Sequence, residues 1–226
     1  MSELSARLAD VDARIADAAR AAGRDPAELT RIVVTKFHPA ALVRELHALG
    51  VRDVGENRQQ ELTAKSEECA DLDLRWHFIG QAQTKKAKAI RKAATVVHSV
   101  DRTRLVDALD AAGDGDAPLD VLLQINLTAD PGRGGVAPAE LDALTEHILG
   151  AGSLRLRGVM AVAPLDEPAA AAFERLAGYA ERVRRQAPDA TWISAGMTGD
   201  FAEAIAIGAT HLRIGTAITG ARPGRA

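Results

Sequence analysis

The sequence predicts an α/β fold, a single (β/α)8 TIM barrel with one extra helix at its N-terminus. Eight short β-branched runs alternate with alanine- and leucine-rich helical segments in a chain of 226 residues. That alternation is typical of parallel βαβ units, and about eight of them fit the usual length of such a barrel. The alternative is an open doubly wound sheet. No G-x-G-x-x-G motif follows any of the runs, which favours the barrel.

The elements follow from apolar periodicity. The leading helix spans about Leu4 to Ala22, where apolar residues recur at a helical period. Later helices include Ala139–Leu149 and Pro168–Gln186. The predicted strands are Arg31–Phe37, Asp53–Asn57, Arg75–Gly80, Thr95–Asp101, Asp120–Leu127, Leu156–Val162, Thr191–Met197 and His211–Ile218. Because no low-complexity linker divides the chain, we expect one domain over 1–226, with the leading helix in 1–24 and the barrel in 31–222.

Charge and cysteine content limit the class of protein. The net charge of −3 gives no global attraction to nucleic acid or anionic membranes. The single cysteine, Cys69, excludes an intramolecular disulfide and suits a reducing cytosol. No apolar stretch approaches the roughly 20 residues that span a bilayer, and charged residues interrupt the N-terminus, so it is not a signal peptide. We expect a cytoplasmic monomer without nucleic-acid or membrane partners.

Phosphate-binding residues are predicted after the last two strands. Barrels of this kind commonly hold phosphate in the loops after strands seven and eight. Hydroxyls and close backbone approach come from Ser194, Gly196 and Thr198, and the second half of the cup from Gly215 and Thr216. Asp200 with Glu203 resembles a capping box that opens the next helix. The competing interpretation is that these glycines only form turns.

Lys36 is the candidate nucleophile, because it closes the first apolar run. An amine forms a Schiff base readily only when desolvation or a nearby cation lowers its pKa, and an inward position at the barrel mouth would do this. The alternative is a solvated lysine at a strand end. Arg213 favours the functional interpretation, since arginine is a usual partner of a pyridoxal ring nitrogen.

Seven ordered motifs carry a family resemblance over about Arg31 to Arg222. They are Val34-Thr-Lys36, Gly55-Glu-Asn57, Trp76-His-Phe-Ile-Gly80, Leu123-Gln-Ile-Asn126, Leu156-Arg-Gly-Val-Met-Ala161, Ser194-Ala-Gly-Met197 and Arg213-Ile-Gly-Thr-Ala217. The chain resembles the pyridoxal phosphate homeostasis protein family. The resemblance implies a barrel like the N-terminal domain of alanine racemase.

The resemblance also implies a cofactor, pyridoxal 5′-phosphate (PLP), held as a Schiff base on Lys36. Matching the motifs assigns the other positions: Asn57 and Met160 would line the cofactor, Ser194, Gly215 and Thr216 would hold its phosphate, and Arg213 would face the ring nitrogen. With Gly196, Met197 and Thr198 of the seventh strand-end loop, these residues make up the predicted cofactor site.

The expected function is PLP homeostasis, in which the protein buffers PLP or delivers it to apo-enzymes. Racemisation needs an acid/base group on each face of the substrate, and only Lys36 is evident. The lone tyrosine, Tyr179, falls mid-helix, where packing is the favoured role. We therefore predict a non-catalytic carrier. The alternatives are a weakly active, racemase-like PLP enzyme and a lysine-dependent aldolase that takes a sugar phosphate.

The remaining candidate residues are interpreted as structural or solvent-exposed rather than functional. The basic cluster Lys85, Lys86, Lys88, Arg91 and Lys92 lacks interleaved aromatic residues and is typical of a solvated helix face. His77 is interpreted as a core or rim histidine, because no His/Cys/carboxylate spacing indicates a metal site. Acidic neighbours should raise the pKa of Cys69, which disfavours a catalytic thiolate.

Overall fold

The computed structural model describes residues 2–115 and 117–221. Its eight strands form a closed barrel in sequence order, and every neighbouring pair is parallel. The predicted barrel is thereby confirmed, and the open sheet does not form. The strands are β1 Thr30–Val34, β2 Asp53–Glu56, β3 Arg75–Phe78, β4 Val96–Val100, β5 Leu119–Gln124, β6 Leu154–Met160, β7 Trp192–Ser194 and β8 His211–Ile214.

Helices surround the barrel and connect its strands. They are α1 Glu3–Ala21, α2 Ala40–Ala48, α3 Gln59–Glu68, α4 Ala87–Ala93, α5 Thr103–Asp110, α6 Leu141–Leu149, α7 Ala169–Gln186, α8 Phe201–Ala206 and α9 Thr216–Thr219. Among the described residues, no helix is long and apolar enough to cross a membrane.

The predicted leading helix is confirmed as α1. Ser2 caps it by accepting a hydrogen bond from Ser5 N (3.1 Å). Its buried stripe is Leu4, Leu8, Val11, Ile15 and Ala19, the face that a helical period creates. Arg7 Nε donates to the carbonyl of Ile218 in α9 (2.8 Å). The extra helix is therefore fastened to the segment that follows the last strand.

The predicted strands run too far at their C-terminal ends. The first ends at Val34 rather than Phe37, and the last ends at Ile214 rather than Ile218. Phe37 has a φ of +70°, which is not strand geometry. Ile218 instead lies in α9. The apolar run continues past the end of strand pairing because Phe37 lines the barrel mouth and Ile218 is buried in the core, although the backbone has already left the sheet.

The apolar core lies mainly between the strands and the helices. Residues such as Val33, Val97 and Leu212 face outward from the strands and are fully buried. Inside the barrel a small apolar cluster of Val96, Leu122 and Met160 packs with Trp192. Several polar side chains are also buried in the interior. They include Asp53, His77, His98, Ser194, His211 and Arg213.

Candidate functional site

A cavity of about 440 Å³ opens at the C-terminal end of the barrel, where sites collect in this fold. Parallel strands deliver their following loops to the same end, which is why residues distant in sequence meet here. It is lined by Val34, Lys36, Phe37, His38, Asn57, Ile79, Val162, Met197, Thr198, Gly199, Arg213, Gly215, Thr216 and Thr219.

Lys36 lies in the turn after β1, two residues beyond its end. The side chain is exposed, and its Nζ lies 5.9 Å from the centroid of the Phe37 ring. Of the two positions considered for Lys36, the structure shows the solvated one, although the side chain still lines the cavity. The strand stops early, so the amine stands at the rim of the cavity, beside an aromatic face.

A buried cluster from β2 and α3 holds the backbone on both sides of Lys36. On the N-terminal side, Lys65 Nζ donates to the carbonyl of Thr35 (2.8 Å), and Thr35 Oγ1 donates to Glu56 Oε1 (2.6 Å). On the C-terminal side, Phe37 N donates to Glu61 Oε2 (2.7 Å). Lys65 Nζ also lies 2.6 Å from Glu56 Oε1 and 3.5 Å from Glu61 Oε2. The cluster is thus a clamp on the turn that carries the amine.

Arg213 forms part of the cavity wall, although only 5% of its surface is exposed. Its Nη1 donates to Ser194 Oγ (2.6 Å) and its Nη2 to the carbonyl of Ala161 (2.8 Å). Burial lowers the pKa of its guanidinium to about 10, against the opposing effect of Asp200. The group remains a cation at neutral pH and can only donate hydrogen bonds.

Beneath Arg213, hydrogen bonds continue through the interior of the barrel. Ser194 Oγ lies 2.9 Å from His98 Nδ1, His98 Nε2 lies 2.9 Å from His77 Nδ1, and His77 Nε2 lies 2.9 Å from Asp53 Oδ1. Asp53 begins β2, at the end of the barrel opposite the cavity. One continuous chain of contacts therefore joins the cavity wall to the far end.

The loop after β7 turns sharply into α8. Gly196 has a φ of +91°, and a Cβ there would lie 2.9 Å from Ala204 Cβ and 3.0 Å from Phe201 Cα, so glycine is needed for this close approach. The predicted capping box is wrong, because the Asp200 side chain makes no cap bond to α8. It accepts instead from Met197 N (2.6 Å) and closes the loop.

Seven of the ten predicted site residues line the cavity: Lys36, Asn57, Met197, Thr198, Arg213, Gly215 and Thr216. Three do not. Gly196 supports the loop, and Met160 packs in the inner apolar cluster. The Ser194 hydroxyl is fully buried between Arg213 and His98, a position that does not favour its predicted role as a phosphate ligand.

Sequence reasoning missed several residues of this region. It did not identify the cavity residues Phe37, His38, Ile79 and Val162, nor His98. Only His98 had a signal in the sequence: it stands at an inward position of a strand in which Ser99 is the only other polar residue, in the run Val96-Val-His-Ser-Val100. In a packed barrel interior, a buried histidine requires polar partners, and this requirement could have pointed to His77 on the neighbouring strand.

The other candidates keep structural roles. His77 is buried, as expected for a core histidine, and the described residues include no group of three side chains that could hold a metal ion. Tyr179 packs against the outer core from α7. Burial raises the pKa of the Cys69 thiol, and Asp71 and Glu68 add to the effect. The expected direction is confirmed, with burial as its main cause.

The basic cluster borders a different groove. This groove, about 660 Å³, lies at the N-terminal ends of β4 and β5 and includes Lys88, Arg91 and Lys92. Lys88 and Lys92 are exposed, and Arg91 is half-buried because its guanidinium donates to the carbonyls of Leu109 and Ser153. Although it is larger than the cavity, the groove contains, among the described residues, none from the C-terminal end of a strand, and its exposed lysines agree with a solvated helix face.

Comparison with known proteins identifies the family. Residues 7–223 match the family model described as alanine racemase, N-terminal domain. The chain is 44% identical over 227 residues to the pyridoxal phosphate homeostasis protein of Pseudomonas aeruginosa, covering 98% of this chain and 97% of the relative. Alanine racemase from Corynebacterium glutamicum, at 14% identity and a TM-score of 0.68 over 95% of this chain and 61% of that one, shares the fold.

A solved structure gives the same result. PipY of Synechococcus elongatus, solved with PLP bound, matches with a TM-score of 0.84 and 35% identity over 96% of this chain and 100% of that chain. The resemblance inferred from the seven sequence motifs is confirmed. The chain therefore belongs to the pyridoxal phosphate homeostasis protein family, built on the N-terminal domain fold of alanine racemase.

Proposed function

We propose that this protein is a PLP carrier of the cytoplasm. It binds PLP in the cavity, holds it as a Schiff base on Lys36, and passes it to apo-enzymes. The observation that carries the proposal is the meeting of one exposed primary amine and one donor-only guanidinium in the same cavity. Support comes from the relatives, since the 44% identical protein is named for PLP homeostasis and PipY was solved with PLP bound.

The side chains of the cavity fit such a ligand. Asn57 Oδ1 is buried without a hydrogen-bond partner among the described residues, yet Asn57 lines the cavity. A buried polar atom without a partner is costly, so a polar ligand in the cavity would relieve it. The Arg213 guanidinium suits an acceptor such as an unprotonated ring nitrogen. Ile79 and Val162 supply apolar walls for a flat ring.

The phosphate would be held by the loops after β7 and β8. Thr198 and Gly199 line one side of the cavity, and Gly215 and Thr216 line the other. These residues combine hydroxyl donors with backbone that lacks side chains, which permits close approach to phosphate oxygens. Ser194 is not assigned to this group, because its hydroxyl lies below the cavity wall.

PLP supplies an aldehyde that condenses with a primary amine and releases water. Lys36 provides that amine, and its exposed position lets an incoming amine approach. Lys36 would hold the cofactor through this amine, and the same aldehyde chemistry would let an incoming amine take its place and leave the lysine amine free. An amine at the rim therefore suits reversible holding and transfer better than a sealed reaction chamber does.

The same geometry argues against strong catalysis. A donor-only guanidinium disfavours protonation of the ring nitrogen and weakens the ring as an electron sink. One observation favours weak activity on amino acids as a second candidate function: His38 lines the cavity and could act as a further acid/base group. Burial lowers its pKa, so the imidazole is neutral at physiological pH. Amino acid turnover that is lost in both Lys36→Ala and His38→Asn would favour this candidate.

Visible absorbance of the purified protein tests the proposal. We expect a yellow band after reconstitution with PLP, bleached by borohydride, and a reduced pyridoxyl mass on the peptide that contains Lys36. Lys36→Ala should lose the band and the mass. Lys88→Ala, which removes an exposed lysine of α4, should keep both. A wild-type protein that stays colourless would overturn the proposal and favour the sugar-phosphate aldolase.

Delivery is tested by mixing the loaded protein with an apo-form of a PLP enzyme. Excess phosphatase is included so that free PLP is destroyed as it dissociates. We expect the apo-enzyme to regain activity when the loaded protein is the donor, and to stay inactive with the same concentration of free PLP. Equal loss of activation from both sources would contradict direct transfer and leave only a buffering role.

A further inference from the structure

The hydrogen-bonded chain inside the barrel has only one consistent direction. At one end Arg213 can only donate, so Ser194 Oγ must accept from its Nη1. At the other end Asp53 accepts from Arg75 Nη2 (2.6 Å) and lies against His77 Nε2. Burial opposes ionisation of Asp53, but the hydrogen bonds from His77 and Arg75 outweigh it and hold its pKa below the ordinary value. Asp53 is therefore a carboxylate that only accepts.

Because one end of the hydrogen-bonded chain can only donate and the other can only accept, the position of every proton between them follows. His77 must carry its proton on Nε2 to donate to Asp53. Burial lowers the pKa of His77, and that of His98 far more strongly, so each ring carries a single proton. His77 Nδ1 then accepts from His98 Nε2, and His98 Nδ1 accepts from the Ser194 hydroxyl. Both imidazoles are thus neutral Nε2–H tautomers, and no donor or acceptor along the chain is left unmatched.

The other charged groups around the hydrogen-bonded chain do not change these tautomers of His77 and His98. Besides Asp53 and Arg213, the groups acting on the two imidazoles are Arg75 of β3, Asp120 of β5 and His211 of β8. Burial lowers the pKa of His211 to about 3, so it is neutral as well. Its ring lies 4.3 Å from the Trp192 ring, centroid to centroid, with a tilt of 37°, and its Nδ1 pairs with Thr210 Oγ1, so it is not part of the hydrogen-bonded chain.

We infer that Ser194, His98, His77 and Asp53 are positioning residues that orient Arg213 as a fixed hydrogen-bond donor toward the PLP ring nitrogen. The inference rests on the proposed function. Among the described residues no carboxylate pairs with Arg213, and only Asp200 acts on it from a distance. Its two bonded nitrogens are instead held by Ser194 and the carbonyl of Ala161, and the chain that begins at Ser194 ends at the carboxylate of Asp53. The polarised chain of hydrogen bonds therefore joins Arg213 to Asp53. The Nη1 and Nη2 atoms of Arg213 each donate a hydrogen bond to a group below the cavity. The remaining donors of the guanidinium can then serve an acceptor in the cavity.

The tautomers can be measured without any cofactor. In the PLP-free protein labelled with 15N-histidine, we expect His77 and His98 to give neutral Nε2–H signals at neutral pH. Free histidine in the same buffer serves as the reference. An Nδ1–H form of either buried ring would overturn the inference even if PLP binds normally.

Comparing the binding of PLP with that of pyridoxal tests the positioning role. Ser194→Ala and His98→Gln each break a contact near Arg213, and each should weaken binding of PLP and of pyridoxal by the same factor, about tenfold. Pyridoxal lacks the phosphate, so equal losses place the effect at the ring. If Ser194→Ala weakens only PLP binding, Ser194 is a phosphate ligand and the inference fails.

Conservative variants of His98 separate positioning from simple packing. Asn in place of His98 keeps an acceptor near the position of Nδ1 for Ser194, whereas Gln keeps a donor near that of Nε2 for His77. We expect His98→Asn to retain tighter binding, and a bound absorbance band closer to wild type, than His98→Gln. His211→Gln, a buried control outside the chain, should leave both affinities near wild type. Equal effects of all three variants would indicate packing alone and overturn the inference.

Discussion

Lys65→Met is expected to lower the free energy of unfolding by about 3–5 kcal/mol, the typical cost of removing one partner from a buried ion pair. Lys65 is 6% exposed and Glu56 is fully buried. Without the ammonium, the Glu56 carboxylate loses its counter-charge in a site that water does not reach, and the Thr35 carbonyl loses its donor. Urea unfolding followed by circular dichroism measures the change.

A double variant is the control for this prediction. Lys65→Met combined with Glu56→Gln removes both charges, so the double variant should be more stable than Lys65→Met alone. Glu56 Oε2 has no hydrogen-bond partner among the described residues, so Gln replaces an oxygen that makes no bond in the wild type. A double variant that is less stable than Lys65→Met would show that packing, rather than charge, sets the cost.

The pH dependence follows from the sign of the shift. Burial raises the pKa of Glu56 above the ordinary 4.5, and the bonds from Lys65 and Thr35 do not fully offset it. The folded state therefore keeps a proton on Glu56 that the unfolded state has released, and stability falls as pH rises through this window. Without Lys65, which lowers the pKa of Glu56, that pKa should rise further, so the pH window over which stability falls extends upward. The difference between wild type and Lys65→Met should thus be smallest near pH 4 and grow toward neutral pH.

The same variant should also weaken the hold on PLP. Lys65 and Glu61 hold the backbone on either side of Lys36, and Phe37 adopts a positive φ of 70° that surrounding contacts must maintain. Loss of the clamp would let the turn relax and move the amine. A Lys65→Met protein with unchanged PLP affinity and an unchanged absorbance band would contradict this role of the cluster.

Gly80→Ala is expected to be the second severe change, with a loss of about 3 kcal/mol or more. Gly80 follows β3, and a Cβ there would lie only 1.9 Å from the carbonyl oxygen of Asn57 and 2.6 Å from its carbonyl carbon. Both neighbours are backbone atoms, so the strand ends must separate. Because Asn57 lines the cavity, PLP affinity should fall together with stability.

Gly178→Ala is the matched control, since it adds the same methyl group elsewhere. Gly178 lies within α7, and a Cβ there would meet nothing within 4 Å. Alanine loses less backbone entropy on folding than glycine, so this variant should gain about 0.5–1 kcal/mol. Thermal unfolding of the two variants measures both effects. A Gly80→Ala protein as stable as wild type would show that the Asn57 turn yields easily.

Local patterns were sufficient for the order of the elements. The alternation of β-branched runs with helical segments indicates which residues face a core, and it can be recognised within a short stretch of sequence. All eight strands and the leading helix were predicted in the right order. Their C-terminal ends were not, because the end of a strand depends on where its neighbour stops pairing. The short β1 and the turn at Lys36 depend on Glu61 and Lys65 of a later helix.

The predicted residues that line the cavity come from the C-terminal ends of several strands. Lys36, Asn57, Thr198, Arg213, Gly215 and Thr216 all meet at the mouth because parallel strands bring their C-terminal ends together. The role of Ser194 was harder to foresee. Its position in the sequence places it beside Gly196 and Thr198, but the inward side of the strand sends its hydroxyl below the cavity to Arg213 and His98.

By itself the sequence determined the fold class, the lysine that carries the proposed chemistry, and the family, because each depends on residue type and order. Tertiary structure alone decided which buried polar groups are partners. Asp53, His77, His98 and Ser194 come from four different strands, β2, β3, β4 and β7. No local pattern pairs them, since a hydrogen bond depends on distance and direction in space rather than on separation along the chain. Closure of the barrel brings these four side chains to the distance and direction that hydrogen bonds require.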